Sequence, residues 1–298
     1  MRFVALFFIF FLMACSTDKV ASDKKLVAVS TFSLYDMTKF IAAKTLQVVN
    51  ILPFGVDAHS YEPTPKEMAI IEKSALVIYS GAGLEPWTHG YSFKHKVIDM
   101  SKTVHLKELH EDMHEHEGGH HHEGLDPHYW LDFKNMQHSA DLITEELIAL
   151  LPKNKDLYIK NRDLYKQMLE ELDTKFKTEL SSCRLDTIVV NHNAFGYLAD
   201  NYGFKVESLS GLSPDAEVDA KSMMRLIEHV NEHHVKTIFF ESFVSDRAMK
   251  SIASEANVSV DVLQPLGNIT ADEADANLHY EEIMKKNLAK LKKALLCH

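Results

Sequence analysis

The 298-residue chain holds three cysteines, too few for a disulfide-dense scaffold. One of them, Cys15, closes the N-terminal apolar run, which leaves Cys183 and Cys297 as a candidate disulfide in an exported protein. Long apolar runs are equally scarce. Phe3 to Ala14 is continuously apolar but too short for an ordinary membrane span. Basic charge is also in deficit: 32 Lys and Arg stand against 43 Asp and Glu, a net charge of −11 that argues against nucleic acid as a partner. From Lys153 to Leu180 there is neither glycine nor proline, so nothing interrupts a helix there.

The chain is rich instead in histidine, with 18 residues. The densest stretch, His110 to Asp132, reads HEDMHEHEGGHHHEGLDPHYWLD. Neutral imidazole is a common ligand of borderline metals such as zinc. Interleaved with Glu and Gly, this run has no apolar face to bury, so the segment of about 105–124 reads as a metal-contacting loop. Its auxiliary ligands would be His110, His114, His116, His120, His121 and His122. The end of the stretch, Asp126 to Asp132, has a proline and two aromatics and reads as ordered, with His128 as a fixed histidine. His110-Glu111-Asp112-Met113-His114 matches the HExxH pattern of zinc proteases. That chemistry needs a rigid helix, and Gly118-Gly119 with no flanking periodicity exclude one.

Arg2 followed by the apolar run suits an export signal. Leu12-Met13-Ala14-Cys15 resembles the bacterial lipobox, which implies cleavage before Cys15 and acylation of its sulfur, with Ser16 to Lys25 as a polar tether. The expected organisation is a signal peptide over 1–14, a lipidated cysteine and tether over 15–25, and an N-terminal lobe over 26–152. A connecting helix over 153–182 and a C-terminal lobe over 183–298 follow.

Short β-rich runs alternate with helical patterns. Leu26–Ser30, Leu46–Leu52, Leu76–Ser80 and Lys96–Asp99 form one set, and Asp186–Asn191, Phe204–Ser208, Lys236–Glu241 and Val258–Leu263 a second. The pattern predicts an α/β fold of two lobes, each a four-stranded, mostly parallel sheet flanked by helices. Between them Leu157, Leu164, Tyr165, Met168, Leu169, Leu172, Phe176 and Leu180 recur at helical steps, which predicts one rigid connecting helix of about 40 Å.

His59 lies after the second strand, just before a capping box, Thr64 to Glu67, with Pro65 at the first helical position. His192 follows the fifth strand, Glu241 ends the seventh and Gln264 follows the eighth. Ligands of open α/β sheets bind outside the carboxyl ends of strands, so His59 and His192 share an address, one per lobe, that a cleft would gather with His128. His229 and His233, with His234, stand at helical spacing on a predicted helix over 215–234. A pair at that spacing can chelate a metal on an exposed face, but the first reading is a solvated face.

GVDAHSYEPTP, SGAGLEPW, the His-rich loop, DPHYWLD, NHNAFGYLADNYG and FFESFVSD occur in this order along nearly the whole chain. Together they resemble the ZnuA-like family, the zinc-binding lipoproteins of bacterial ABC uptake systems. The resemblance implies a metal held between the lobes by His59, His128 and His192. Three imidazoles suit Zn2+ better than manganese, which prefers oxygen. Gln264 stands where the family often has Asp, and an amide is a poor zinc ligand, so the fourth donor is expected to be water or a loop histidine, with Glu241 acting on a ligand. The implied function is a high-affinity zinc receptor without catalysis. It would be monomeric and lipid-anchored in the periplasm or on the outer face of the cell membrane, delivering its ion to an ABC permease and its ATPase. The alternatives are a zinc-dependent hydrolase, because three His and a water is also a hydrolytic set, and a surface adhesin or zinc buffer without a permease.

Overall fold

The computed structural model describes residues 24–108, 124–211, 220–241 and 247–298. The export signal, Cys15 and the His-rich loop from His110 to His122 lie outside the described residues.

The first lobe runs β1 (Leu26–Val29), α1 (Phe32–Ala42), β2 (Gln47–Asn50), α2 (Pro65–Lys73), β3 (Leu76–Tyr79) and β4 (Lys96–Asp99). A two-residue antiparallel ladder, β5 (Lys107–Glu108) with β6 (Leu125–Asp126), follows. Then come α3 (Phe133–Leu150) and α4 (Lys155–Glu179). The second lobe comprises β7 (Thr187–His192), α5 (Gly196–Tyr202), β8 (Lys205–Ser210), α6 (Ala220–Glu232), β9 (Thr237–Phe240), α7 (Arg247–Ala256), β10 (Ser259–Val262), α8 (Ala271–Asp275) and α9 (Tyr280–Ala294). The sheets are ordered β2-β1-β3-β4 and β10-β9-β7-β8, and every pairing within them is parallel. Both lobes therefore wind the same way, with the change of direction between their first and third strands. That change opens a crevice at the strands' carboxyl ends.

Local chemistry sets the element ends. Thr64 and Glu67 form the expected capping box, with Pro65 at the start of α2. Asp132 caps α3 through the backbone N–H groups of Lys134 and Asn135. Gly203, in the left-handed region at φ 75°, ends α5.

The connecting helix α4 is 25 residues long, about 38 Å at 1.5 Å per residue. Its inward stripe is Tyr158, Tyr165, Leu169, Leu172 and Phe176, all buried. Leu157 and Leu164, read from sequence as part of that stripe, are exposed. Each precedes a buried tyrosine by one residue and so falls about 100° round the helix, outside the stripe. The helix packs on α1 and α3 of the first lobe and on α9 of the second, so it is held by both lobes.

A second tie joins the lobes. The segment after β10 carries Leu266, whose carbonyl accepts from Ser33 Oγ at 2.6 Å, and Gly267, whose carbonyl accepts from Phe32 N at 2.9 Å. Asn268 Nδ2 donates to the carbonyls of Pro53 and Val56, and Gly55 N donates to Ile269 O. Trp130 Nε1 donates to Pro265 O at 2.6 Å. Gly267 lies close under the same ring: an added Cβ would stand 3.3 Å from Trp130, tighter than an ordinary van der Waals contact. Cys183 and Cys297 are joined in a disulfide, as their isolation in the sequence suggested, pinning the chain after α9 to the start of the second lobe.

Candidate metal site at the seam

His59, His128 and His192 meet where the lobes face each other. Nε2 of His128 lies 3.3 Å from Nε2 of His59 and 3.4 Å from Nε2 of His192. The ring centroids are 5.3 to 5.9 Å apart. His59 comes from the loop before α2, His128 from the turn after β6, and His192 is the last residue of β7. His128 and His192 are each 2% exposed, whereas His59 is only partly buried as a residue.

Each of the two buried rings is held from behind by a carboxylate. His128 Nδ1 lies 2.8 Å from Asp126 Oδ1, which also accepts the backbone N–H of His128 at 2.9 Å. His192 Nδ1 rests against Glu241 Oε1, and the same oxygen accepts Asn191 Nδ2 at 2.9 Å. β7 and β9 are neighbours, so His192 and Glu241 stand side by side at the second lobe's change of direction. At His128 the carboxylate takes up the Nδ1–H and leaves the Nε2 lone pair facing the centre; at His192, Glu241 lies against the same ring nitrogen. The backbone N–H of His59 likewise donates to an aspartate two residues back, Asp57 Oδ1, at 3.2 Å.

Burial, then the neighbouring His128 and His192, hold the His59 imidazole well below its ordinary pKa. It is neutral at physiological pH, the form that binds metals. Leu84, Pro265 and Gly267 help line the small cavity around the three rings, and Trp130 stands edge-on to His128 with centroids 5.4 Å apart. Gln264 is not among the lining residues. Its Nε2 donates to Glu273 Oε2 at 2.6 Å and its backbone N to Asn287 Oδ1 at 3.1 Å. Glu62, three residues after His59 and the other carboxylate that a hydrolytic reading could use as a base, is exposed and likewise outside the lining.

Asp126 is the functional residue that the sequence reading missed. The signal was present twice, as Asp57-x-His59 and Asp126-x-His128. In each the aspartate accepts the backbone N–H two residues on, an Asx turn that presents the histidine. The ladder beneath the His-rich loop was missed as well. It is anchored to the second lobe by Lys107, whose N donates to Tyr197 Oη at 2.8 Å and whose Nζ pairs with Asp200 at 2.6 Å.

Two parallel α/β lobes clamped on a long helix, with three convergent imidazoles at their seam, define a two-lobed metal-binding protein. The chain belongs to the family described as zinc-uptake complex component A, periplasmic, whose model matches residues 27–294. It is 37% identical over 282 residues to the high-affinity zinc uptake system protein ZnuA of Bacillus subtilis (strain 168), covering 92% of this chain and 88% of that one. Among solved structures, the laminin-binding protein Lmb of Streptococcus agalactiae superposes with a TM-score of 0.81 at 30% identity, covering 91% of this chain and 99% of that one. The Zn(II)-bound structure of AdcA from Streptococcus pneumoniae gives 0.76 at 31% identity, over 91% of this chain and 58% of AdcA.

Proposed function

We propose that the protein is a high-affinity zinc receptor held outside the cytoplasmic membrane by acylated Cys15, and that it passes Zn2+ to an ABC permease driven by its ATPase. His59, His128 and His192 are the ligands. The spacing of the three Nε2 atoms carries the reading. Nitrogens about 2.0–2.1 Å from a tetrahedral zinc stand about 3.3–3.4 Å from one another, and His128 Nε2 lies 3.3 and 3.4 Å from its two neighbours. Neutral His59 lets the ion enter without first displacing a proton there.

The fourth position is taken by water or a histidine of the loop, since Gln264 does not line the cavity around the three rings. Asp126 and Glu241 soften the charge of the ion through the rings they hold. The relatives' names support the cargo: one is described as a zinc uptake protein and another as Zn(II)-bound. A hydrolytic reading needs a carboxylate able to take a proton from the metal-bound water. Glu241 is occupied by His192 and Asn191, which favours transport over catalysis. Adhesion is the second reading, because the similar Streptococcus agalactiae protein is described as bifunctional, adhesin and metal transporter.

Alanine at His59, His128 or His192 tests the ligand set by competition titration against a chelator. Each change is expected to weaken the tight site by more than the 10- to 100-fold typical of losing a supporting group. The intact chain should restore zinc-limited growth to cells lacking their own receptor, and the His128→Ala chain should not. Wild-type affinity in any of the three variants removes that histidine from the site. Equal growth with intact and His128→Ala chains refutes the transport role.

A further inference from the structure

A second group of ligating side chains lies on the outside of the second lobe. His229, Glu232 and His233 offer atoms within 4.8 Å of one another at the C-terminal end of α6. From this juxtaposition, with Glu207 beside His229, we infer a second, solvent-facing zinc site, built by His229, Glu232 and His233 and separate from the seam.

The backbone places these groups. His233 lies just past the end of α6, but its N–H still donates to His229 O at 3.0 Å, so it keeps the helical register. Residues four apart on a helix stand one above the other. The two rings accordingly lie nearly parallel, 14° apart in plane with centroids separated by 5.9 Å. Glu232 comes from the same turn. Glu207 arrives from β8, on which α6 packs, with Oε1 at 3.8 Å from His229 Nδ1. An ion about 2.0–2.1 Å from each of two such atoms fits a gap of that size. The end of the helix adds to the attraction, because its last carbonyls carry partial negative charge. His234 reverses the chain at φ 53° and so follows a different course from the pair.

The donors decide the ligand class. Two imidazoles and one or two carboxylates suit zinc and its neighbours, whereas magnesium and calcium require oxygen throughout. His229 and Glu207 are about one-third exposed, so this site exchanges its ion with solvent more readily than the seam does. The two sites are distinct. His192 pairs with Ser210 and Val189 with Glu207, so Glu207 sits three residues, about 10 Å, down the sheet from the seam. The inference does not depend on the seam binding zinc.

The test uses the full chain with one equivalent of zinc already added. Histidines are acylated with diethyl pyrocarbonate while further zinc is titrated, and the tryptic peptide 226–236 is fragmented in the mass spectrometer so that modification of His229 and His233 is quantified separately from that of the exposed His234. Excess zinc is expected to reduce modification of His229 and His233 several-fold, and magnesium at equal concentration to leave it unchanged. Unchanged modification with zinc, or equal protection by magnesium, overturns the site. Calorimetry on the His229→Gln/His233→Gln protein should lose one weak equivalent while the tight equivalent stays as in the wild type. Retention of every weak equivalent also overturns the proposal. Loss of the tight equivalent alone from the intact protein bears on the seam and leaves the α6 result standing.

Discussion

Removing Asp126 separates what orients a ligand from what charges it. Asp126 is 1% exposed and takes both the Nδ1–H and the backbone N–H of His128. In Asp126→Ala these two donors stay buried without an acceptor, which costs about 1–3 kcal/mol each in stability. The ring also loses the contact that aims Nε2 at the ion. Loss of such a partner reduces metal affinity by about 10- to 100-fold, or about 1.4–2.7 kcal/mol. Asp126→Asn keeps an oxygen for both donors and removes only the charge, so it should stay at or below the lower end, about 10-fold. The assay is competition for zinc with a chelator of known affinity, with thermal unfolding of the zinc-free protein alongside. Wild-type affinity in Asp126→Ala refutes the orienting role. Equal losses in the Asn and Ala proteins refute the division between geometry and charge.

Deleting 110–122 should lower the number of weakly bound zinc ions and retain one tight site. Glu108 pairs with Leu125, so the remaining Leu109, Glu123 and Gly124 close a three-residue hairpin on the existing ladder. Loss of the tight equivalent in calorimetry would make the loop a main ligand source. Cys297→Ser opens a bridge between residues 114 apart and should destabilise the protein by up to about 4–5 kcal/mol in the chain-entropy model, read by denaturant unfolding. An unchanged midpoint contradicts this. The hydrogen bond that His279 Nδ1 donates to Asp36 raises the pKa of His279, so the stabilisation from protonated His279 is complete below the unfolded value of about 6.5 and fades as pH rises through the folded value. The gap in Tm between wild type and His279→Asn should therefore narrow from pH 5.5 to pH 8. A constant gap counts against the pair.

The parallel strands were legible because buried parallel strands are continuous apolar runs, and α2 because Thr64, Pro65 and Glu67 mark a helix start on their own. His59 and His192 could be placed by the rule that ligands gather at strand carboxyl ends. The ties between lobes were not legible. Ser33 Oγ reaches Leu266 O across 233 positions and Asn268 reaches Val56 across 212, and no local periodicity encodes such a pairing. The role of Asp126 was readable in principle from the repeated Asp-x-His. Only the folded turn shows its carboxylate reaching both the backbone and the ring.

Zinc X-ray absorption on the full chain at one equivalent of metal tests the central claim most directly. The account predicts three imidazole nitrogens at about 2.0–2.1 Å with one further light donor, falling to two imidazoles in the protein lacking the His128 ring. A sulfur ligand, an all-oxygen shell, or an unchanged imidazole count in His128→Ala would contradict it.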